Sequence, residues 1–415
     1  MKPSHLGELA VRVRAASRVV ARSSSAVRDD ALRVAADLLS AEAGAVLEAN
    51  RRDLAEAERR GADGTAVDRL RLSERRIADM VDGLRDVAGL PDPVGEVLGG
   101  WVRPNGLRVQ RVRVPLGVVG VIYENRPNVT SDAAALCLKA GNAAFLRGSS
   151  SAIESNRAVV SVLRRAARKA GLPEDAVALV EDTGHETAIA FMRLRGLIDC
   201  LVPRGGPGLI DSMIEHATVP YVLDGAGNCH VYVDVAADLD MATEIVVNAK
   251  TQRPGVCNAA ESLLVHRSIA AAFLPVVRRA LGDVELFGDD RTRSVLPGVA
   301  AATEDDFARE YLGAKMSVAV VDDVGAAIDH IARFGSGHSE AIVTADLATA
   351  DRFVAEVDAA AVLVNASTRF VDGAELGLGA EVGISTQKLH ARGPMGLREL
   401  TCVKWVVRGE GQVRR

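Results

Sequence analysis

From Pro115 onward, short apolar segments alternate with amphipathic segments of helical length, and this alternation restricts the fold more than any other feature of the chain. The apolar segments include GVVGVIYEN, AAFLRG and AVALVED, followed between Val231 and Ala366 by LLVH, SVAVV, AIVTA and AVLVN. Strands connected by helices run in the same direction, which gives a mostly parallel sheet covered on both faces. The sequence therefore predicts an α/β fold, and the repeated pattern predicts a second α/β domain.

Both ends of the chain depart from this pattern. Residues 1 to about 98 place apolar side chains at helical spacing among charges of alternating sign, which predicts amphipathic helices. At Trp101 the period changes to two: Leu107 and Val109 alternate with basic residues, and the phase slips at Gln110, which indicates a β-bulge. The late segment TCVKWVVRG has the same character, so the two could form one sheet. Such a ribbon either pairs with another subunit or is solvated on one face.

Charge and residue usage exclude several classes of protein. The net charge of −5 and the pI near 6.0 provide no basic surface for nucleic acid. No apolar run approaches the roughly 18 residues of a membrane span, and the N-terminal segment is unlike a signal peptide. The five cysteines show no CxxC or other paired spacing, so the sequence predicts no disulfides. The histidines show no HExxH spacing, so it predicts no metal site. We therefore expect a cytoplasmic protein whose partners are small molecules or copies of itself.

The segment TQRPGVCNAA, residues 251–260, is the best candidate for chemistry, because Cys257 follows a predicted helix and precedes a predicted strand. A thiol in such a turn is partly exposed, and backbone N–H groups stabilise its thiolate. The alternative is a small buried hydrophobe, the usual state of a free cysteine. Cys137, Cys200 and Cys402 lie in apolar segments, which leaves Cys229 as the rival nucleophile.

Two segments at predicted strand ends are candidates for a dinucleotide site, although GxGxxG and P-loop motifs are absent. In RGGPG, residues 204–208, backbone N–H groups and a helix N-terminus lie where a pyrophosphate fits; an ordinary turn is the alternative. Arg147 is followed by Gly148 and the serines 149–151, with no carboxylate before Glu154. A cation with hydroxyls suits a 2′-phosphate better than a ribose hydroxyl, and a solvated loop is the alternative.

A third candidate, YENRP, ends the segment GVVGVI. Pro127 keeps Arg126 out of the helical region. Asn125 and Arg126 therefore follow the strand at the sheet edge where ligands bind open α/β sheets. A helix cap is the alternative role for Asn125.

Together these segments resemble the aldehyde dehydrogenase superfamily, and within it the branch that reduces an acyl phosphate of glutamate. The resemblance covers nearly the whole chain and is strongest in VPLGVVGVIYENRPNVTSDAAALCLKAGNAAFLRGSSSAIESN, VPRGGPGLI, TQRPGVCNAAESLLVH, EYLGAKMSVAVV, GSGHSEAIVT and KLHARGPMGLRELTCVKWVV. It implies two α/β domains with mostly parallel sheets and a small oligomerisation ribbon. The implied ranges are 1–98, 115–225 and 367–392 for the cofactor-binding domain, 226–366 for the catalytic domain, and 99–114 and 393–415 for the ribbon.

The resemblance also implies roles for individual residues. Cys257 becomes the nucleophile and Asn125 the side-chain donor to the oxyanion. Glu310 would hold the nicotinamide ribose, and Ser150 stands where NAD-preferring relatives often carry a glutamate, which implies NADP. The implied cofactor residues are Arg147, Ser149, Ser150, Arg204, Gly205, Gly206 and Glu310. Arg126 and Arg369 are candidates for binding substrate anions.

The implied activity is NADPH-dependent reduction of L-glutamyl 5-phosphate to glutamate 5-semialdehyde through a cysteine thioester, as a step in proline biosynthesis. A homo-oligomer and hand-over of substrate from a glutamate 5-kinase are the implied partnerships. One segment departs from the superfamily pattern. Hydrolytic members carry a glutamate base in an ELGGK-like segment, whereas the matching VLDGAGNCH offers only Asp224. We therefore expect water to attack the thioester slowly.

Overall fold

The structure, a computed structural model, describes residues 3–223 and 225–414. The helices are α1 Pro3–Val20, α2 Ser25–Ala41, α3 Ala43–Arg59, α4 Gly64–Leu70, α5 Glu74–Gly89, α6 Asn128–Lys139, α7 Ile153–Lys169, α8 His185–Met192, α9 Pro207–His216, α10 Leu239–Thr251, α11 Arg267–Ala280, α12 Asp290–Val295, α13 Glu304–Ala308, α14 Val324–Phe334 and α15 Leu347–Glu356. The strands are β1 Val97–Val102, β2 Arg108–Pro115, β3 Val118–Tyr123, β4 Ala143–Arg147, β5 Val177–Leu179, β6 Cys200–Arg204, β7 Cys229–Val233, β8 Ala260–His266, β9 Glu285–Gly288, β10 Ala300–Ala301, β11 Lys315–Val321, β12 Ser339–Val343, β13 Ala361–Val364, β14 Ile384–Ser385, β15 Gly393–Pro394 and β16 Thr401–Arg408.

The chain divides into two compact units. Unit 1 comprises residues 1–223, 378–383 and 395–415, and its parallel sheet has the strand order β5-β4-β3-β6. β3 is buried along its whole length, as its unbroken apolar sequence predicts for a central parallel strand. Helix α1 packs Leu6, Ala10 and Val13 against Val118 and Phe145 of the sheet. The first of the expected N-terminal helices thus covers part of the parallel sheet.

Unit 2 comprises residues 224–377 and 384–394 and contains a seven-stranded parallel sheet of order β10-β9-β11-β8-β7-β12-β13. Successive strand residues point to opposite faces. Val231 accordingly packs with Phe273 of α11 on one face, and Tyr232 packs with Phe353 of α15 on the other. The predicted α/β fold class with mostly parallel sheets is confirmed.

The ribbon is a three-stranded antiparallel sheet of order β1-β2-β16, which confirms that the early and late segments form one sheet. The predicted bulge at Gln110 is wrong: Gln110 pairs in register with Gly100, and the irregularity lies between Val97 and Gly99 on β1. The Trp101 and Trp405 rings meet edge to face, with centroids 5.7 Å apart. Both side chains are exposed, at 46% and 57%.

The unit boundaries differ from the ranges inferred from sequence. Residues 367–377 and 384–392, which the sequence assigned to a cofactor-binding domain, group with unit 2. Hydrogen bonds explain why residues 367–377 group with unit 2. Thr368 Oγ1 donates to the Asn258 carbonyl at 2.7 Å, and Asn258 Nδ2 donates to the Val371 carbonyl at 2.9 Å. Within the described residues, no helix is both long and apolar enough to cross a membrane.

Candidate active site

Cys257 lies in the turn between α10 and β8, as predicted, and is half-buried. Burial raises the pKa of Cys137 on α6 and of Cys229 on β7, and raises that of Cys200 on β6 to about 12. Cys402 is exposed on the ribbon strand β16, yet partial burial raises its pKa as well. Three of these thiols are thus shielded from reagents, and the fourth lies on the ribbon of unit 1.

Gly227 and the first residue of β7, Cys229, support the Cys257 turn. Cys229 Sγ donates to the Cys257 carbonyl at 3.2 Å and lies 3.7 Å from His338 Nδ1. A Cβ atom on Gly227 would lie 1.5 Å from the same carbonyl oxygen, so only a glycine fits there. Cys229, the rival nucleophile of the sequence, is therefore a buried support for Cys257.

Glu310 lies near this turn, on the loop before β11. Its Oε1 accepts a hydrogen bond from the Gly227 backbone N–H at 2.7 Å. The loop is anchored by a buried ion pair between Lys250 and Glu261, because Glu261 Oε1 also accepts from the Leu312 N–H at 3.1 Å. Leu312 has a φ of 53°, which is uncommon for a non-glycine residue.

Sequence reasoning missed the Lys250–Glu261 pair. Both side chains are fully buried, and burial raises the pKa of Glu261 and lowers that of Lys250, against the attraction of the partner. The available signal was a carboxylate inside the apolar strand AAESLLVH. A buried charge requires a partner, so such a residue predicts a buried ion pair, although it does not identify the partner.

Arg369, a predicted substrate residue, lies beside the Cys257 turn in unit 2. Its Nε donates to Gln252 Oε1 at 2.7 Å. Burial lowers the pKa of Arg369, and the positive charge of the neighbouring Arg253 lowers it further. Two guanidinium groups therefore lie near the candidate nucleophile, a suitable environment for a phosphate.

In unit 1, Asn125, Arg147 and Arg204 lie at the carboxyl ends of the neighbouring strands β3, β4 and β6, as predicted. Asn125 has a φ of 41°, and its Oδ1 accepts hydrogen bonds from the hydroxyls of Ser149 and Ser151. Its side chain does not cap α6, whose N-cap residue is Pro127. The capping alternative is therefore wrong. Arg126 follows Asn125 in this unit and is exposed.

The Arg147 guanidinium is half-buried at the end of β4. Its Nη2 donates to the carbonyls of Thr183 at 2.5 Å and Gly184 at 3.3 Å, and its buried Nε has no hydrogen-bond partner among the described residues. Burial lowers its pKa, whereas the carboxylates of Asp182 and Glu124 act to raise it. The local sequence suggested a cation without a competing carboxylate, and the tertiary structure corrects that expectation.

The RGGPG loop holds an anion that belongs to the chain itself. The Gly206 N–H donates to Glu124 Oε2 at 2.9 Å, and a Cβ atom on Gly205 would lie 2.6 Å from the same oxygen. The N-terminus of α9 therefore suits an anion. A pyrophosphate at Gly206 would have to displace the Glu124 carboxylate, whereas the buried Arg147 Nε has no partner among the described residues and Ser150 is exposed.

The chain is similar to proteins of known family. A sequence model of the aldehyde dehydrogenase family matches residues 10–298. The gamma-glutamyl phosphate reductase of Moorella thermoacetica is 54% identical over 406 residues, covering 97% of both chains. That of Caldanaerobacter subterraneus is 52% identical over 408 residues, covering 98% of this chain and 99% of the relative.

Solved structures agree with these relatives. The crystal structure of gamma-glutamyl phosphate reductase from Thermotoga maritima matches with a TM-score of 0.97 and 49% identity, covering 99% of this chain and 100% of that one. An acetylating aldehyde dehydrogenase from Geobacillus thermoglucosidasius matches with a TM-score of 0.70 and 18% identity, covering 100% and 98%. The second likeness concerns the fold alone.

Proposed function

Because the chain belongs to the aldehyde dehydrogenase family, and within it to the gamma-glutamyl phosphate reductases, we propose that it reduces L-glutamyl 5-phosphate with NADPH. The products are L-glutamate 5-semialdehyde and inorganic phosphate, and the intermediate is a thioester on Cys257. The observation that carries this proposal is the half-buried Cys257 in a turn fixed by Gly227 and Cys229.

The first step is attack of the Cys257 thiolate on the γ-carbonyl carbon. The carbon–sulfur bond forms, the bond to the phosphate oxygen breaks, and phosphate departs with the electron pair. Phosphate is a good leaving group, so this step needs no general acid. The Cys257 N–H and the Asn125 carboxamide are the proposed donors to the tetrahedral oxyanion, at about 3 kcal/mol per donor. We assign substrate anions to Arg369 and Arg126.

The second step converts the thioester to the aldehyde. NADPH, when bound, supplies the hydride. We propose that Arg147 and Ser150 hold its 2′-phosphate and that Glu310 holds the nicotinamide ribose. Arg204, Gly205 and Gly206 hold its pyrophosphate, which takes the place of the Glu124 carboxylate at the Gly206 N–H. Hydride addition to the thioester carbon forms a second tetrahedral oxyanion, which the same donors stabilise. Its collapse breaks the carbon–sulfur bond, releases the semialdehyde and restores the Cys257 thiolate.

Partners and location are part of the proposal. The exposed tryptophans of the ribbon, Trp101 and Trp405, support assembly into a homo-oligomer through that sheet. Acyl phosphates hydrolyse readily in water, which favours hand-over from a glutamate 5-kinase. The free cysteines fit a reducing cytoplasm.

The test uses the oxidative direction. Purified protein receives semialdehyde and NADP, with and without phosphate, while NADPH absorbance is followed in a stopped-flow instrument. We expect one burst of NADPH per site without phosphate and sustained turnover when phosphate is added. Sustained turnover without phosphate would instead indicate an aldehyde dehydrogenase that makes a free acid, and no reaction would indicate a non-catalytic NADP-binding protein. Asp224, the one carboxylate of VLDGAGN, lies outside the described residues. If turnover without phosphate is sustained, return of the burst-only pattern in Asp224→Ala would identify Asp224 as the base that activates water.

A further inference from the structure

We infer that Ser149 and Ser151 are positioning residues that lock the rotation of the Asn125 carboxamide, so that its Nδ2 is the atom left to donate. This inference rests on the proposed function, in which Asn125 donates to the oxyanion. It also assigns Ser149 a role different from the cofactor contact implied by the sequence.

The hydrogen bonds around Asn125 carry the argument. Ser149 Oγ lies 3.1 Å from Asn125 Oδ1, and Ser151 Oγ bonds to the same oxygen. The two serine hydroxyls lie 2.7 Å apart, and Ser149 Oγ accepts from the Asn125 backbone N–H at 3.3 Å. One side-chain oxygen thus has two hydroxyl neighbours, and the residue's own N–H is part of the same cluster.

The structure places Oδ1 of the Asn125 carboxamide, and not Nδ2, against the two serine hydroxyls. Each hydroxyl has one proton. Ser149 Oγ already accepts from the Asn125 N–H, so its own proton is available for Oδ1 or for Ser151. Both hydroxyls can donate to Oδ1, or one of them can donate to the other, which then donates to Oδ1. In each pattern at least one hydroxyl donates to Oδ1, and Nδ2 takes no part.

An oxyanion donor needs such a lock because the two ends of a carboxamide have nearly the same shape. The terminal torsion of asparagine is broad, and a carboxamide turned by half a rotation would present its oxygen to a negative charge. The backbone of Asn125 is also unusual, because its φ of 41° lies in the left-handed region, which asparagine adopts at a smaller cost than most residues with a side chain. Strain of this kind persists where surrounding contacts maintain it, and here the Ser149 hydroxyl supplies one of them.

The position of the serines in the fold separates this role from cofactor binding. They follow β4, which pairs with β3, the strand that ends just before Asn125. Ser149 and Ser151 are half-buried and contact Asn125, whereas Ser150 is exposed. The alternation directs two hydroxyls inward to Asn125 and one outward to solvent.

The test compares Ser149→Ala, Ser151→Ala and the double variant in the wild-type and the Asn125→Ala backgrounds. We expect the double variant to lower kcat by 10- to 100-fold. The KM values and the NADPH dissociation constant, measured by fluorescence titration, should change by less than about twofold. In the Asn125→Ala background the same serine changes should alter kcat by less than about twofold, because residues that act through one group are not additive. Ser151→Thr, which retains a hydroxyl, should restore most of the lost kcat.

Controls make each outcome decisive. Ser161→Ala changes an exposed serine on α7 and should behave as wild type. Weaker NADPH binding with an unchanged kcat would make the serines cofactor residues and overturn the inference. Additive losses in the Asn125→Ala background would overturn it too. A wild-type kcat in the double serine variant would also overturn the inference, but it would leave the proposed function intact. A wild-type protein without phosphate-dependent turnover would overturn the proposed function, and the inference with it.

Discussion

Gly227 lies directly against the backbone of Cys257, since a Cβ atom on Gly227 would lie 1.5 Å from the Cys257 carbonyl oxygen. The same glycine donates its N–H to Glu310. The backbone of one residue thus meets both the candidate nucleophile and the residue assigned to the nicotinamide ribose. Because the obstacle is backbone, it cannot be relieved by rotating a side chain.

Gly227→Ala should therefore displace the Cys257 turn. We expect kcat/KM to fall by on the order of 100-fold or more, measured with semialdehyde, NADP and phosphate. Gly255→Ala is the matched control in the same turn, because its Cβ atom would lie 3.8 Å from the Leu312 carbonyl, an ordinary contact. Equal activity of the two variants would show that the turn adapts and that Gly227 is not required.

Cys257→Ala should abolish turnover while NADPH binding, followed by fluorescence, survives. Iodoacetamide should label Cys257 first, because alkylation follows thiolate character and exposure. Cys402 is the competing site, as it is exposed on the ribbon, so labelling is measured in a Cys402→Ser background. Substantial turnover by Cys257→Ala would refute the thioester mechanism.

Ser150→Glu should weaken the preference for NADPH over NADH by about tenfold, or ~1.4 kcal/mol, because the new carboxylate repels a 2′-phosphate at Arg147. The measurement is a pair of binding titrations with NADPH and NADH. Ser161→Glu adds the same charge on the exposed surface of α7 and serves as the control. If the unmodified protein already prefers NADH, the assignment of this loop to the 2′-phosphate is wrong.

The stability of unit 2 should fall in mild acid because of His338. Burial lowers its pKa to about 4, whereas a histidine in an unfolded chain has a pKa near 6.5. Between these values the unfolded chain binds a proton that the folded chain excludes. The stability that the folded chain gains by keeping His338 neutral is therefore fully present above about pH 6.5. It is lost as the pH falls towards 4, which lowers the free energy of unfolding by up to ~3 kcal/mol.

Burial also lowers the pKa of His330, to about 3, and acts in the same direction. Urea unfolding at pH 7 and pH 4.5 measures the effect. His338→Gln, which does not titrate, should lose roughly 2 kcal/mol less stability than wild type over this interval. Identical losses in the two proteins would show that His338 does not carry the acid sensitivity.

The sequence determined the features that depend on neighbouring residues. The alternation of strands and helices, the parallel sheets and the position of Cys257 in a turn follow from local periodicity and from Pro254-Gly255. The sequence also locates strand ends, which predicts Asn125, Arg147 and Arg204 at the carboxyl edge of a sheet. The family resemblance added roles for these residues, because co-linear motifs carry more information than one motif alone.

The tertiary structure decided which distant residues meet. Glu124 contacts Gly206, 82 positions away, and Lys250 shares Glu261 with the Leu312 loop, 51 positions further on. It also made Cys229 a support of Cys257 and turned two of three adjacent serines towards Asn125. Crossover connections in a parallel sheet bring together chain segments that are far apart in sequence, and no local pattern specifies the partner of a buried charge or hydroxyl. That choice depends on the packing of the whole unit.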